Sequence, residues 1–188
     1  IYYSSMNAAV NDVNAGTIGT NSDAEKSDAV AGVYTDEGQT YVVLLKDHTE
    51  TTRIQPSVDM TINLGGHVLS ANDSFCIMNQ SENLVIDGRI SGSSIHMASN
   101  TNAITIGVLS GKCSIEGGTY ISEGNSVQNG CISVNTAAEL LANAITIQGV
   151  NTSSSNVVGV SIFGNGKLSL TNSKINISTI FNFCFGFF

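Results

Sequence analysis

Two acidic residues stand where they could act together. Asp87 follows Leu84-Val85-Ile86, Glu116 follows Cys113-Ser114-Ile115, and Arg89 lies two residues beyond Asp87. If those two segments stack, the carboxylates become neighbours. Such a pair could hold calcium, which takes oxygen ligands, or work as acid and base in glycoside hydrolysis. The competing reading is that both face water after the last core residue of a strand, with Arg89 as a surface partner. Asp87, Glu116 and Arg89 are thus the candidates for catalysis, and Asp87 and Glu116 for a metal; spacing alone fixes no catalytic, cofactor or metal site. His67 adjoins a glycine pair, where its ring could bind a backbone carbonyl of the next repeat; His48 and His96 say less. Cys76, Cys113, Cys131 and Cys184 are spaced 37, 18 and 53 residues apart with no CxxC pair, which predicts buried thiols rather than a metal or disulfide framework.

What positions these residues is a repeat. Five segments share an apolar-x-apolar core followed by turn residues: Ile62 to Gly66, Leu84 to Gly88, Cys113 to Gly117, Ile145 to Gly149 and Leu168 to Asn172. From Leu64 through Ile86, Ile115, Ile147 and Leu170 the steps are 22, 29, 32 and 23 residues, the size of one coil of a solenoid with loops of varying length. A second set of alternating segments precedes four of these: Cys76 to Met78, Ile104 to Ile106, Ile132 to Val134 and Val158 to Ile162. Alternation gives each strand one buried face, and a single coil cannot bury that face alone. Coils stacked about 4.8 Å apart would close the core and pair the backbone. Gly66, Gly88, Gly117, Gly149 and Asn172 share the slot after the core triplet, which predicts a positive φ there. The outward positions Thr105, Ser133, Thr146, Ser161 and Ser169 would form polar faces able to hydrogen-bond sugars.

The sequence divides at about residue 40. Met6, Ala9, Val10 and Val13 recur at helical spacing, with Ser5 as N-cap and Gly16 as stop, so residues 4–14 predict an amphipathic helix over the first coil. Residues 17–40 read as a polar loop, completing a cap of residues 1–40, and coils occupy 41–188. The end carries Phe181, Phe183, Phe185, Phe187 and Phe188, an alternating apolar run that predicts a terminal cap, a contact with further coils or with another subunit of a homo-oligomer, or an abnormal truncated end.

Composition narrows the partners. With 15 acidic and 7 basic residues the net charge is −8, so the long-range field repels a phosphate backbone and argues against nucleic acid. No run of 18 apolar residues offers a membrane span. Ile1 follows no basic, apolar leader in this sequence, which reads as a mature or trimmed start. Only 12% of residues are charged, so Ser, Thr, Asn and Gly must supply the polar surface, as in extracellular β-solenoids.

The runs Met60-Thr61-Ile62-Asn63-Leu64-Gly65-Gly66-His67-Val68-Leu69-Ser70, Asn83-Leu84-Val85-Ile86-Asp87-Gly88 and Ile115-Glu116-Gly117-Gly118-Thr119-Tyr120 resemble coils of pectate-lyase-like right-handed parallel β-helix proteins, in particular surface or phage-tail proteins of gut bacteria. The helix Ala8 to Gly16 is similar to that superfamily's N-terminal cap. The resemblance covers roughly residues 4–178 and implies an all-β solenoid with a capping helix. It also departs from the polygalacturonase-like pattern: Gly66-His67-Val68 lacks the second glycine of Gly-His-Gly, and Arg89-Ile90-Ser91 lacks the lysine of Arg-Ile-Lys. The function expected is therefore a non-catalytic module of an adhesin-like or phage-tail protein at a cell or virion surface, binding a glycan or host partner. A polysaccharide lyase or glycoside hydrolase with its site on Asp87, Glu116 and Arg89 is the second expectation, and a purely structural assembly component the third.

Overall fold

The computed structural model describes residues 1–98, 103–124, 130–151, 158–178 and 186–187. The chain opens with β1 (Tyr2–Tyr3) and helix α1 (Met6–Ala15), then a hairpin of β2 (Ala31–Asp36) and β3 (Gln39–Leu44), and continues as β4 (His48–Glu50). Four sets of three strands follow. They are β5 (Met60–Asn63), β6 (Val68–Ala71) and β7 (Phe75–Asn79); β8 (Asn83–Gly88), β9 (Ser94–Ala98) and β10 (Ile104–Val108); β11 (Lys112–Gly117), β12 (Thr119–Gly124) and β13 (Ile132–Val134); and β14 (Glu139–Asn143), β15 (Thr146–Asn151) and β16 (Val160–Ile162). The last coil holds β17 (Lys167–Thr171), β18 (Lys174–Ser178) and β19 (Gly186–Phe187).

Each strand pairs in parallel with its counterpart one coil away. The first sheet runs β3-β5-β8-β11-β14-β17, the second β4-β6-β9-β12-β15-β18 and the third β7-β10-β13-β16-β19. The fold is a parallel β-helix of about four turns, and among the described residues it is all-β apart from one short helix at its start. The antiparallel β1-β2-β3 pairing at the beginning belongs to the cap.

Inside, side chains stack by register. In the first sheet the columns are Met60, Leu84, Cys113, Leu140, Leu168 and Ile62, Ile86, Ile115, Ala142, Leu170. The second sheet contributes Leu69, Ile95, Tyr120, Ile147 and Ile175, and the third Ile77, Ile106, Ile132 and Val160. Burying one such aliphatic side chain is worth roughly 1.5–3 kcal/mol. In the last coil Leu168, Leu170, Ile175 and Ile177 are only partly buried, because nothing described stacks on them.

The observed register corrects three sequence expectations. Ile62 pairs with Ile86, not Leu84, and the first-sheet strand of the fourth coil is Glu139–Asn143, whereas Thr146 to Gly149 belongs to the second sheet and Ile145 just precedes it. The steps become 24, 29, 27 and 28 residues along Ile62, Ile86, Ile115, Ala142 and Leu170. Second, the glycine slot is not uniform: Gly66, Gly117 and Asn172 have the expected positive φ, whereas Gly88 and Gly149 do not, and Gly88 is required because a Cβ there would stand 2.8 Å from the Gly117 carbonyl oxygen of the next coil. Third, residues 17–40 include β2, whose Ala31 and Val33 enter the core while Thr35 and Asp36 stay exposed.

The cap closes one end by polar as well as apolar contacts. Met6, Ala9 and Val10 of α1 are fully buried, and Ser5 Oγ accepts from Ala8 N at 3.0 Å. Glu50, on the first described coil, accepts from Met6 N at 2.6 Å and from Asn7 N at 3.3 Å, so a buried carboxylate satisfies first-turn donors that the helix cannot. Of the phenylalanine-rich end, only the backbone of Phe187 is described; Phe181, Phe183, Phe185 and Phe188, with Cys184, lie outside the described residues.

Candidate functional site

The stacking brings Asp87 and Glu116 together as direct neighbours in β8 and β11, as the sequence suggested. They belong to an outward column of Asn63, Asp87, Glu116, Asn143 and Thr171. Arg89 joins them by a two-pronged contact, Nε to Asp87 Oδ1 at 2.9 Å and Nη2 to Oδ2 at 2.8 Å. Glu116 Oε2 accepts from Asn143 Nδ2 at 2.9 Å, and Asn143 Oδ1 accepts from Thr171 Oγ1 at 3.0 Å. The Arg89 side-chain hydrogen bonds, opposed by some desolvation, hold the Asp87 carboxyl below its ordinary range. A general acid needs the opposite shift, so this carboxylate is set up as an ion-pair partner, with both its oxygens engaged. Among the described residues no group of three or more His, Cys, Asp or Glu is placed to hold a metal ion.

The histidines and thiols take structural positions. His67 Nδ1 lies 3.5 Å from Asp47 Oδ1, a carboxylate of the preceding coil rather than the backbone carbonyl anticipated. His96 Nε2 is 3.3 Å from Glu123 Oε1, at ion-pair distance but outside hydrogen-bond geometry. Cys76, Cys113 and Cys131 are buried free thiols, and burial raises Cys113 to about 12 and Cys131 to about 11. At those values the nucleophilic thiolate is scarce at neutral pH.

The outer faces differ from one another. Thr146 and Ser133 are half-buried and Ser169 is exposed, but Thr105 and Ser161 are buried, and Thr105 Oγ1 donates to the Cys131 carbonyl at 2.7 Å. The polar outward positions therefore do not form one continuous face.

The third sheet instead carries a groove of about 430 Å³, within the size range of small-ligand sites. Its floor follows the outward column Met78, Gly107, Ser133. Beside it runs a second column of residues just past the strand ends, Leu109, Asn135 and Phe163, whose N–H groups donate to Asn79, Val108 and Val134 of the coils below. Phe75 forms the opposite wall. Its ring leans along the sheet into the space a side chain at Gly107 would fill, where a Cβ would meet ring carbons at 2.6 and 2.7 Å. Arg53 holds that ring from outside: its guanidinium carbon lies 5.8 Å from the ring centroid, Nη1 approaches Met78 Sδ at 3.5 Å, and Nε donates to Asp73 Oδ2 at 3.2 Å.

Sequence reasoning missed this site. Leu109, Asn135 and Phe163 look like turn residues, and Phe75 can lean over the sheet as a wall because Gly107 has no side chain to block it. The available signal was the recurrence of one residue after each third-sheet strand, which registers as a column only once strand ends are known. Compared with protein-family models, with characterised proteins and with solved structures, the chain finds no match.

Proposed function

We propose that this chain is a non-catalytic module of an extracellular, adhesin-like or phage-tail protein of the pectate-lyase-like type, and that it binds a glycan in the third-sheet groove. The observation that carries the reading is the pairing of two aromatic walls, Phe75 and Phe163, with a hydroxyl and an amide, Ser133 and Asn135, along a shallow open surface. Aromatic faces take the apolar face of a sugar ring while fixed polar groups orient its hydroxyls. The engagement of Asp87 by Arg89 supports binding over catalysis on the other edge.

The test is a glycan-array screen of the whole chain beside a variant whose groove is filled, Ser133→Trp, with circular dichroism to confirm that both fold. Array signals that vanish in the filled variant support the reading. Signals that persist in it, or turnover of any glycan that Asp87→Ala abolishes, overturn it; the second outcome would favour a polysaccharide-active enzyme.

A further inference from the structure

We infer that the groove on the third sheet takes an uncharged oligosaccharide lying along the solenoid axis, and this rests on the glycan-binding reading above. Charge comes first. Among the described residues, none that lines the groove is ionisable, from Phe75 and Met78 through Ser133 and Asn135 to Phe163. Arg53, a cation at its border, is committed to Asp73 at 3.2 Å and stacked on Phe75. A uronate or sialate carboxylate would enter without a counter-charge and lose its water, which is costly for an ion. It would also approach a chain carrying a net charge of −8.

Direction comes from the repeat. Leu109, Asn135 and Phe163 are supplied by three successive coils, so the polar and apolar contacts succeed one another along the axis and not across it. From the coil of Gly107, against which Phe75 leans, to the coil of Phe163 is two rungs, roughly 10 Å at about 4.8 Å each. The rung spacing is comparable with the length of one pyranose unit in a linear chain. A short linear saccharide then sets one ring against Phe75, the next against Ser133 and Asn135, and a third against Phe163. The smaller sugars reach one aromatic wall only.

The experiment is calorimetric titration of the intact chain with neutral gluco-, manno-, galacto- and xylo-oligosaccharides, from disaccharide to hexasaccharide. Oligogalacturonates of the same lengths are titrated at low and high salt. The inference expects a neutral series whose affinity climbs to the trisaccharide and then levels, with uronates about tenfold weaker or more at low salt, equivalent to about 1.4 kcal/mol. Phe163→Ala should remove the gain from disaccharide to trisaccharide, and Phe75→Ala should weaken every length. Uronates binding as tightly as the neutral series, or affinity indifferent to length, overturn this inference and leave the glycan-binding reading standing. No binding by any series, or binding indifferent to both phenylalanine variants, overturns both.

Discussion

Placing a methyl group at Gly107 probes the groove without removing any of its walls. In Gly107→Ala the new Cβ would lie 2.6 and 2.7 Å from two carbons of the Phe75 ring, against an ordinary carbon–carbon contact of about 3.5–4.0 Å. The ring must retreat by about 1 Å, away from the position in which Arg53 holds it. Gly107 does not have positive φ, so alanine suits its backbone, and a strand glycine is itself roughly 0.5–1 kcal/mol worse than alanine. Against that gain stands the overpacking cost of about 1–3 kcal/mol, so the single variant should lose up to about 2 kcal/mol. In a Phe75→Ala background the obstruction is gone, and the same change should stabilise by about 0.5–1 kcal/mol. Thermal and urea unfolding of the four proteins of this cycle give the sign directly, at about 2–4 °C per kcal/mol for a chain of this length. A Gly107→Ala effect of the same sign and size in both backgrounds would refute the packing argued here.

Other consequences follow from the same contacts. Glu50→Ala leaves the Met6 and Asn7 N–H groups without their acceptor, so about 1–3 kcal/mol should be lost and hydrogen exchange should quicken first in residues 6–15; unchanged exchange there would contradict the capping role. Native Cys76, Cys113 and Cys131 should resist a thiol reagent at mildly alkaline pH until the chain unfolds, as read by mass spectrometry of each peptide; rapid labelling of Cys113 would contradict its core position. Because the folded Asp87 carboxyl titrates below its unfolded value of about 3.9, the ion pair with Arg89 stabilises fully above that pH and is lost as pH falls through the folded value. Arg89 is 71% exposed, so solvent screens the pair, and Arg89→Ala should lower stability only slightly at neutral pH and not at all well below pH 4; a cost that grows on acidification would contradict the sign. Calcium should leave the melting temperature unchanged, and a rise that disappears in Asp87→Asn would restore the metal reading.

The solenoid was legible because apolar alternation repeats in Leu84 to Ile86 and Cys113 to Ile115, and these do stack residue for residue. The fourth coil misled for a physical reason. Its first-sheet strand, Glu139–Asn143, presents Leu140 and the small Ala142 inward and Leu141 outward, which blurs the alternation, while Ile145 and Ile147, just before and within the second-sheet strand, display it cleanly. Ile62 was placed one alternation out because Leu64 is also buried, so the apolar pattern runs on past the end of β5. Asp87 and Glu116 were correctly paired from position alone, and Arg89 was legible as a surface partner two residues from Asp87, but the Asn143 amide on Glu116 comes from the next coil, whose register the sequence misplaced. The groove was least legible: one wall, Phe75, leans in from three positions along the strand over Gly107, whose missing side chain makes room for the ring.

The most direct measurement labels the groove itself. Methyl and aromatic NMR of the chain, titrated with a neutral trisaccharide from the series that binds, should move the Met78 methyl and the Phe75 and Phe163 ring signals while the Arg89 side-chain signals stay put. Shifts gathered around Arg89, with the groove signals still, would contradict the assignment of the binding site to the third sheet.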